Sequence, residues 1–423
     1  MKHVVEEILF KNGSKGLLID VPNSEVVNIL IAFNAGFLFA DPNLPELPHV
    51  MKHLVPGANK LHPTMKEFEA EVEKNGASNN AFTNTYFLGY EMECAAFELE
   101  RILGLLTAEI TSPLFKENEL KAEIGNVREE LNRDLTNYNR VAYEALAKPM
   151  LDRRNTEESL ASLDKITRAE IIEYYRRTHS TQNMRFVFAG AIRENRHLFN
   201  ALDHQVSLAA GSRLVLPAEK PRHQEQPILI KKDIPQLYYR FVQYAEVLPR
   251  QAAAGLDIIG ILLTNRYNSW IFGEARDKGL AYSVSSGGDI GLHNSSYSVS
   301  AYTTPANSEE LFTLIAEKLR KACRGEFTES ELEEAKKLLI GRRLRQYKTP
   351  GHLMNWYYYD YFAQDYIDDF HQALEGVKAT TIKDLQSTMK HLFSTPQWGV
   401  SLVGDITSDK AAKLHKILSG IWA

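Results

Sequence analysis

Short apolar runs separated by amphipathic stretches predict a chain of alternating strands and helices. Near-continuous apolar runs at residues 26–33 and 237–244 are typical of buried strands. Residues 184–192 and 398–406 form two further runs of this kind. Helical periodicity with a charged face dominates much of the sequence between them. The pattern therefore predicts an α+β fold rather than an all-helical one.

The same order of features occurs twice along the chain, which indicates an internal repeat. The matched pairs are residues 115–120 and 327–332, residues 166–175 and 381–389, and Gly190 and Gly404. The first pair begins with Phe115 and Phe327, which lie 212 residues apart, and the two glycines lie 214 residues apart. Three matches in the same order at nearly one spacing predict two homologous domains.

A proline-containing stretch with few apolar residues, residues 211–227, is typical of an extended linker. We therefore predict an N-terminal domain at residues 1–212, a linker at residues 213–227 and a C-terminal domain at residues 228–423. Each domain is expected to contain an antiparallel-rich mixed sheet covered by helices on one face.

Composition excludes several classes of function. The 423 residues include 44% hydrophobic and 24% charged residues, as in ordinary globular proteins, and the net charge is −5. The absence of a long basic run argues against nucleic acid as a partner, and no apolar run is long enough to predict a membrane-spanning helix. The first residues lack a signal-peptide pattern, and Cys94 and Cys323 are the only cysteines. We therefore predict a cytoplasmic protein.

Two histidines at helical spacing are the first candidates for chemistry. His49 and His53 lie four positions apart in a helix-like segment, so both side chains lie on one face, where they suit a metal. Lys52 lies near the same face. Histidine pairs at this spacing are also common as ordinary packed helix residues, and that interpretation stays open.

Two other segments strengthen the chemical interpretation. Residues 76–83 read Gly-Ala-Ser-Asn-Asn-Ala-Phe-Thr, and residues 274–282 read Glu-Ala-Arg-Asp-Lys-Gly-Leu-Ala-Tyr. Together with the histidine segment, they resemble the pitrilysin/insulinase metallopeptidases, or inverted zincins, a group that includes the mitochondrial processing peptidase. The resemblance extends over nearly the whole chain. It implies two domains that form half of a clamshell.

The resemblance also implies a role for particular residues. In this family His-x-x-Glu-His supplies two zinc ligands and a general base, and the corresponding residues here are His49, Lys52 and His53. A third zinc ligand is implied at Glu130, with Glu123 as a supporting acid. A solvated charged helix face is the alternative explanation for both glutamates.

Substrate-binding residues are implied at four positions. Asn80 and Ala81 match the family's edge strand, which binds a peptide backbone by strand addition. Arg276 and Tyr282 match an arginine and a tyrosine from the domain without zinc that hold substrate. Each of the four residues also has a purely structural interpretation, as part of a strand end or a turn.

The sequence departs from the family pattern most clearly at the general base. Lys52 replaces the catalytic glutamate, and a charged ammonium neither accepts a proton nor favours a nearby dication. We therefore expect no metal, with the ammonium bonded to Glu130 or Glu123 in its place; zinc is expected only if the site still functions.

These observations predict an impaired peptidase-like protein that binds peptides or unfolded polypeptides as the non-catalytic subunit of a two-subunit zinc peptidase. Its protein partner is expected to be an active family member or a second copy of this chain. One alternative is an active zinc endopeptidase in which Lys52 is tolerated or Glu46 serves as the base. The other is a free-standing peptide-binding scaffold.

Overall fold

The chain forms two compact units, each with its own sheet and core. The computed structural model describes residues 2–422. Unit 1 comprises the described residues up to 132, residues 157–217 and residues 344–369, and unit 2 comprises residues 133–156, residues 218–343 and the described residues from 370 onward. The chain passes from unit 1 to unit 2 three times, and one of these passages, between Pro217 and Ala218, lies within the predicted linker. Residues 211–227, all of them described, form neither helix nor strand.

Unit 1 contains a six-stranded mixed sheet with the strand order β1-β2-β6-β3-β5-β4. The strands are β1 (Val4–Leu9), β2 (Lys15–Asp20), β3 (Val26–Asn34), β4 (Ser78–Thr83), β5 (Phe87–Ala95) and β6 (Met184–Gly190). Only the β2–β6 pair is parallel. Strand β3 lies between β6 and β5 and is buried over nearly its whole length, which explains its near-continuous apolar sequence.

Eight helices belong wholly or mainly to unit 1. They are α1 (Leu47–Leu54), α2 (Met65–Glu73), α3 (Leu99–Thr111), α4 (Glu117–Asp134), α6 (Thr156–Ser162), α7 (Arg168–Thr178), α8 (Arg196–Gln205) and α13 (Pro350–Gln364), numbered along the whole chain. A single large apolar cluster joins α1, α3 and α7 to one face of the sheet. This cluster fixes α1, the helix with the two candidate histidines, against the sheet.

Unit 2 contains a five-stranded mixed sheet with the order β7-β11-β8-β10-β9. Its strands are β7 (Ile228–Lys231), β8 (Leu237–Ala245), β9 (Ala281–Ile290), β10 (Ser295–Thr303) and β11 (Trp398–Gly404). Its helices are α5 (Tyr138–Leu151), α9 (Ala253–Leu263), α10 (Phe272–Asp277), α11 (Ser308–Arg324), α12 (Glu329–Gln346), α14 (Phe370–Ala379), α15 (Ile382–Leu392) and α16 (Ser408–Ser419). Among the described helices, none has both the length and the apolar composition required to cross a bilayer.

Helices pack on both faces of each sheet, so the prediction of one covered face was wrong. In β3, alternate residues such as Ile29 and Ile31 enter the main core, whereas Asn28 contacts Gly351 of α13 on the opposite face. In unit 2, Gly399 of β11 lies against Leu146 of α5. Each extra helix comes from the other half of the sequence, an exchange that the local patterns did not indicate.

The repeated glycines have a shared structural cause. Gly190 and Gly404 end the equivalent strands β6 and β11 with φ angles of +145° and +157°. A Cβ atom at Gly190 would lie 2.5 Å from the Val26 carbonyl oxygen, and one at Gly404 would lie 2.7 Å from the Gln236 carbonyl oxygen. Both positions therefore require glycine for conformation and for space.

Candidate metal centre and substrate-binding edge

Helix α1 positions the two histidines because its other face is apolar. Leu47, Val50, Met51 and Leu54 are buried in the core of unit 1. The histidines lie on the opposite side, and their ring centroids are 5.2 Å apart. The predicted shared helix face is therefore present.

Helix α4 brings the two acids to this face of α1. Glu123 is buried and Glu130 is half-buried. The Nε2 atom of His49 lies 3.2 Å from Oε2 of Glu130, and the Nε2 atom of His53 lies 3.7 Å from Oε1 of Glu130. The structure thus brings together all three residues that the resemblance implied as metal ligands. Glu130 follows His53 by 77 positions in the sequence, so it is the fold that places it beside the two histidines.

The three side chains fit a single metal ion. One ligand atom from each of His49, His53 and Glu130 lies within 4.8 Å of the other two. Zinc bonds of about 2.0–2.2 Å place tetrahedral ligand atoms roughly 3.3–3.6 Å apart, close to the His49–Glu130 and His53–Glu130 distances of 3.2 and 3.7 Å. In addition, Nε2 of His53 is buried and has no hydrogen-bond partner among the described residues. A cation would satisfy that nitrogen.

The other ring nitrogens face carboxylates. The Nδ1 atom of His49 lies 2.8 Å from Oε2 of Glu46, a fully buried residue, and Nδ1 of His53 lies 3.5 Å from Oε2 of Glu123. The same Glu123 oxygen accepts a hydrogen bond from Asn126. Carboxylates behind metal-binding histidines orient the rings and select the tautomer. Sequence reasoning considered Glu46 only as a base and missed this contact.

Burial favours neutral imidazole at the centre. It lowers the pKa of His53 to about 4, with smaller contributions in the same direction from Lys52 and His49. Only a neutral ring has a lone pair for a metal. At neutral pH His53 is therefore in the form that binds a cation.

Lys52 does not form the predicted bond to Glu130 or Glu123. No carboxylate oxygen of the described residues lies within 4.0 Å of its ammonium nitrogen. Burial lowers the pKa of Lys52, while the charges of Glu130 and Glu123 oppose that shift from a distance. The prediction of a direct ion pair was wrong because the two carboxylates face the imidazoles instead.

The second candidate feature is the strand β4, which contains Asn80 and Ala81. It lies at the end of the strand order and pairs in antiparallel register with β5. The strand contains no charged residue and no proline, two features that usually protect a sheet edge. Helix α1 packs against β4, so this edge and the histidine cluster are neighbours within unit 1. The predicted edge position is confirmed.

In unit 2, Arg276 and Tyr282 lie in contact with each other. The guanidinium carbon of Arg276 lies 5.2 Å from the ring centroid of Tyr282 and 5.3 Å from that of Tyr267. Both tyrosines are more than two-thirds exposed, at 71% and 74%. Cation–π contact orients Arg276 while leaving the group accessible. Sequence reasoning missed Tyr267, which precedes the matched motif and has no distinguishing pattern.

Comparison with known proteins connects these features to one family. The family profile described as "Insulinase (Peptidase family M16)" matches residues 16–163, and that described as "Peptidase M16 inactive domain" matches residues 165–339. The first match contains the histidine cluster and the edge strand. The second contains Arg276 and Tyr282.

Individual relatives agree with this result. The "Uncharacterized zinc protease YmxG" of Bacillus subtilis is 23% identical over 355 residues, which are 80% of this chain and 83% of that protein. The A-factor-processing enzyme of Saccharomyces cerevisiae is 31% identical over 127 residues, but the match covers 30% of this chain and only 12% of that enzyme.

A solved structure shares the fold over most of both chains. The structure described as a peptidase M16 inactive domain from Pseudomonas fluorescens superposes with a TM-score of 0.84 at 15% identity, covering 95% of this chain and 98% of that one. This likeness extends the agreement from motifs to the full architecture. The chain therefore belongs to the insulinase, or M16 peptidase, family.

Proposed function

We propose that this protein binds extended peptides as the catalytically impaired, non-catalytic subunit of a two-subunit zinc peptidase. The observation that supports this most strongly is Lys52, a basic side chain next to His53 at the position of the family's general base. Zinc held by His49, His53 and Glu130 would polarise a peptide carbonyl and activate a water. Hydrolysis also needs a group that accepts the proton of that water.

The surrounding carboxylates do not supply this base. Glu46 lies against Nδ1 of His49, whereas Glu130 lies against Nε2 on the opposite side of the ring. The ring therefore separates Glu46 from the position of a metal. Glu123 faces His53 and accepts a hydrogen bond from Asn126. This arrangement argues against the alternative of an active endopeptidase that uses Glu46.

The edge of β4 supports peptide binding that does not depend on catalysis. An extended peptide that adds beside β4 hydrogen-bonds to main-chain groups, so its affinity depends little on side chains. The neutral sequence of β4 permits this approach. In unit 2, Arg276 and the exposed ring of Tyr282 offer a cation and an amphipathic surface suited to a second segment of substrate.

A peptidase assay with zinc tests the loss of catalysis. We expect no zinc-dependent cleavage of an internally quenched peptide by the wild-type chain, and a gain in Lys52→Glu of about 10²–10⁴-fold over the background, which is the usual contribution of a general base. Lys66→Glu, at an exposed lysine of α2, is the matched control for the charge change. Wild-type cleavage that requires His49 would instead establish an active endopeptidase.

Peptide binding is tested separately by the fluorescence anisotropy of a labelled peptide. Ala81→Pro removes a main-chain donor from the β4 edge and should weaken binding at least several-fold. Val5→Pro makes the same change on β1, at the opposite edge of the same sheet, and should leave binding unchanged. Equal binding by both variants would exclude the β4 site.

Addition of an active family member with an intact His-x-x-Glu-His motif distinguishes a subunit from a scaffold. A non-catalytic subunit should increase the turnover of that partner, and Arg276→Ala should reduce the increase. Peptide binding without any change in turnover would favour the free-standing scaffold.

A further inference from the structure

Glu46 is a buried acid that does not perform the usual task of its position. It precedes the first residue of α1 as the N-cap residue, yet its side chain makes no capping hydrogen bond to the helix. Instead, the carboxylate reaches Nδ1 of His49 at 2.8 Å, and the residue is 0% exposed. Burial of a carboxylate is costly without a compensating interaction. This contact therefore has a function other than helix capping.

The contact determines which nitrogen of His49 remains available. An ionised carboxylate only accepts hydrogen bonds, so an ionised Glu46 at 2.8 Å requires the hydrogen of His49 on Nδ1. In that tautomer of the neutral ring, Nε2 has the lone pair. This nitrogen lies 3.2 Å from Oε2 of Glu130, so the two atoms are then both acceptors. A cation between them resolves that conflict.

The donor set indicates the kind of cation. Three carboxylates, Glu46, Glu123 and Glu130, contact the two imidazoles. The atoms that converge are one nitrogen from each of His49 and His53 and one oxygen from Glu130. Two imidazole nitrogens and a carboxylate oxygen are a set that suits divalent zinc.

We propose that Glu46 is a positioning residue for the metal ligand His49. It holds the imidazole in the tautomer whose Nε2 binds a divalent cation together with His53 and Glu130. Glu46 does not touch the metal. The inference concerns metal binding and is independent of the peptide-binding and subunit roles. It replaces the expectation from sequence that Lys52 substitutes for the metal.

Zinc affinity of the Glu46 variants tests this role. Competition with a chromophoric chelator should show that Glu46→Leu binds zinc about 10- to 100-fold more weakly than the wild type, the usual effect of removing such a carboxylate. Glu46→Gln should recover most of the affinity, because its amide oxygen accepts the same hydrogen bond. Glu129→Gln removes an exposed acid of α4 and serves as the control.

The absorption spectrum of the cobalt(II)-loaded protein separates positioning from a general structural role. Glu46→Leu should alter the ligand-field bands, and Glu46→Gln should resemble the wild type. Unchanged zinc affinity and an unchanged spectrum in folded Glu46→Leu would overturn the proposal. So would the absence of micromolar zinc binding by the wild-type chain.

A measurement on the wild-type protein covers the case in which Glu46→Leu does not fold. Nitrogen NMR of ¹⁵N-histidine-labelled, metal-free protein, with His49 assigned by comparison with His49→Asn, reports its tautomer directly. The proposal requires hydrogen on Nδ1. A ring with hydrogen on Nε2 alone would overturn it.

Discussion

Helices α4 and α12 are equivalent parts of the repeat, yet only the first has ligand residues. Both contain 18 residues, and the 212-residue spacing aligns them from end to end. Leu120 and Leu332 are buried at the same position. Where α4 has Glu123 and Glu130, α12 has Ala335 and Arg342. The two helices therefore share their length and a buried leucine, but only α4 has the two acids.

Helices α1 and α9, which follow the strands β3 and β8, also differ in that only α1 has candidate ligand residues. In unit 1, α1 follows β3 and presents His49 and His53. In unit 2, α9 follows β8 and is almost wholly apolar, with nine of its eleven residues buried. Its acid, Asp257, pairs with Arg343 at 2.6 Å.

This comparison shows that the fold does not require the polar cluster. Unit 2 forms a similar arrangement of sheet and helices with Ala335 in place of Glu123 and with the almost wholly apolar α9 after its central strand. Buried polar and ionisable groups in unit 1 therefore reduce stability relative to an apolar alternative. Residues retained at such a cost point to function rather than to folding.

The largest expected effect comes from transferring a unit 1 acid into unit 2. Ala335 is fully buried, so Ala335→Glu places a carboxylate in an apolar core without a partner. The free energy of unfolding should fall by about 3–5 kcal/mol. Chemical denaturation measures the free energy of unfolding. Hydrogen exchange should show that the loss of stability lies in unit 2.

Gly341→Glu is the control for this substitution. It adds the same side chain on the same helix at an exposed position with no atom within 4 Å of a new Cβ. It should change the stability by less than about 1 kcal/mol. Comparable losses in the two variants would mean that burial does not explain the difference between the units.

A smaller effect is expected from a buried histidine that has an apolar counterpart. His179 of unit 1 aligns with Phe393 of unit 2, 214 residues later. Burial lowers the pKa of His179 to about 3. Since its unfolded value is about 6.5, His179 stabilises the fold fully above that pH and loses this contribution as the pH falls toward 3.

The pH dependence of His179→Phe measures this contribution. Relative to the wild type, the variant should gain about 2–3 kcal/mol of stability between pH 7 and pH 4.5. Comparison between variants is necessary because burial raises the pKa of Glu109 in the same unit, which acts in the opposite direction. Phe393→Leu should show no such pH dependence. If the difference in stability between His179→Phe and the wild type did not change with pH, the prediction would be wrong.

The smallest effect on stability is expected from giving α4 the residue of α12. Glu123→Ala should change the stability of the metal-free protein by no more than about 1 kcal/mol, because neutral His53 leaves no unpaired charge. Thermal denaturation with and without zinc should nevertheless show weaker stabilisation by the metal, since its affinity falls about 10- to 100-fold. Unchanged zinc stabilisation would mean that Glu123 does not support His53.

Local patterns were sufficient to predict much of the framework. The apolar runs predicted β3, β6, β8 and β11, and the residues after Phe115 and Phe327 predicted α4 and α12. The equivalent helices α7 and α15 both begin with a threonine capping box. Such signals survive in the sequence because strand and helix formation depends on residues that are close along the chain.

The sequence by itself determined the repeat and the strands and helices that define it, and its resemblance to the family supplied the metal-ligand candidates. Tertiary structure alone decided the exchange of α5 and α13 between the halves, the contact of Glu46 with His49, and the absence of an ion pair at Lys52. The physical reason is the separation along the chain of the residues that interact. Periodicity reports which face of an element is buried, whereas the partner of a buried carboxylate depends on side-chain directions and distances that exist only after the elements have packed.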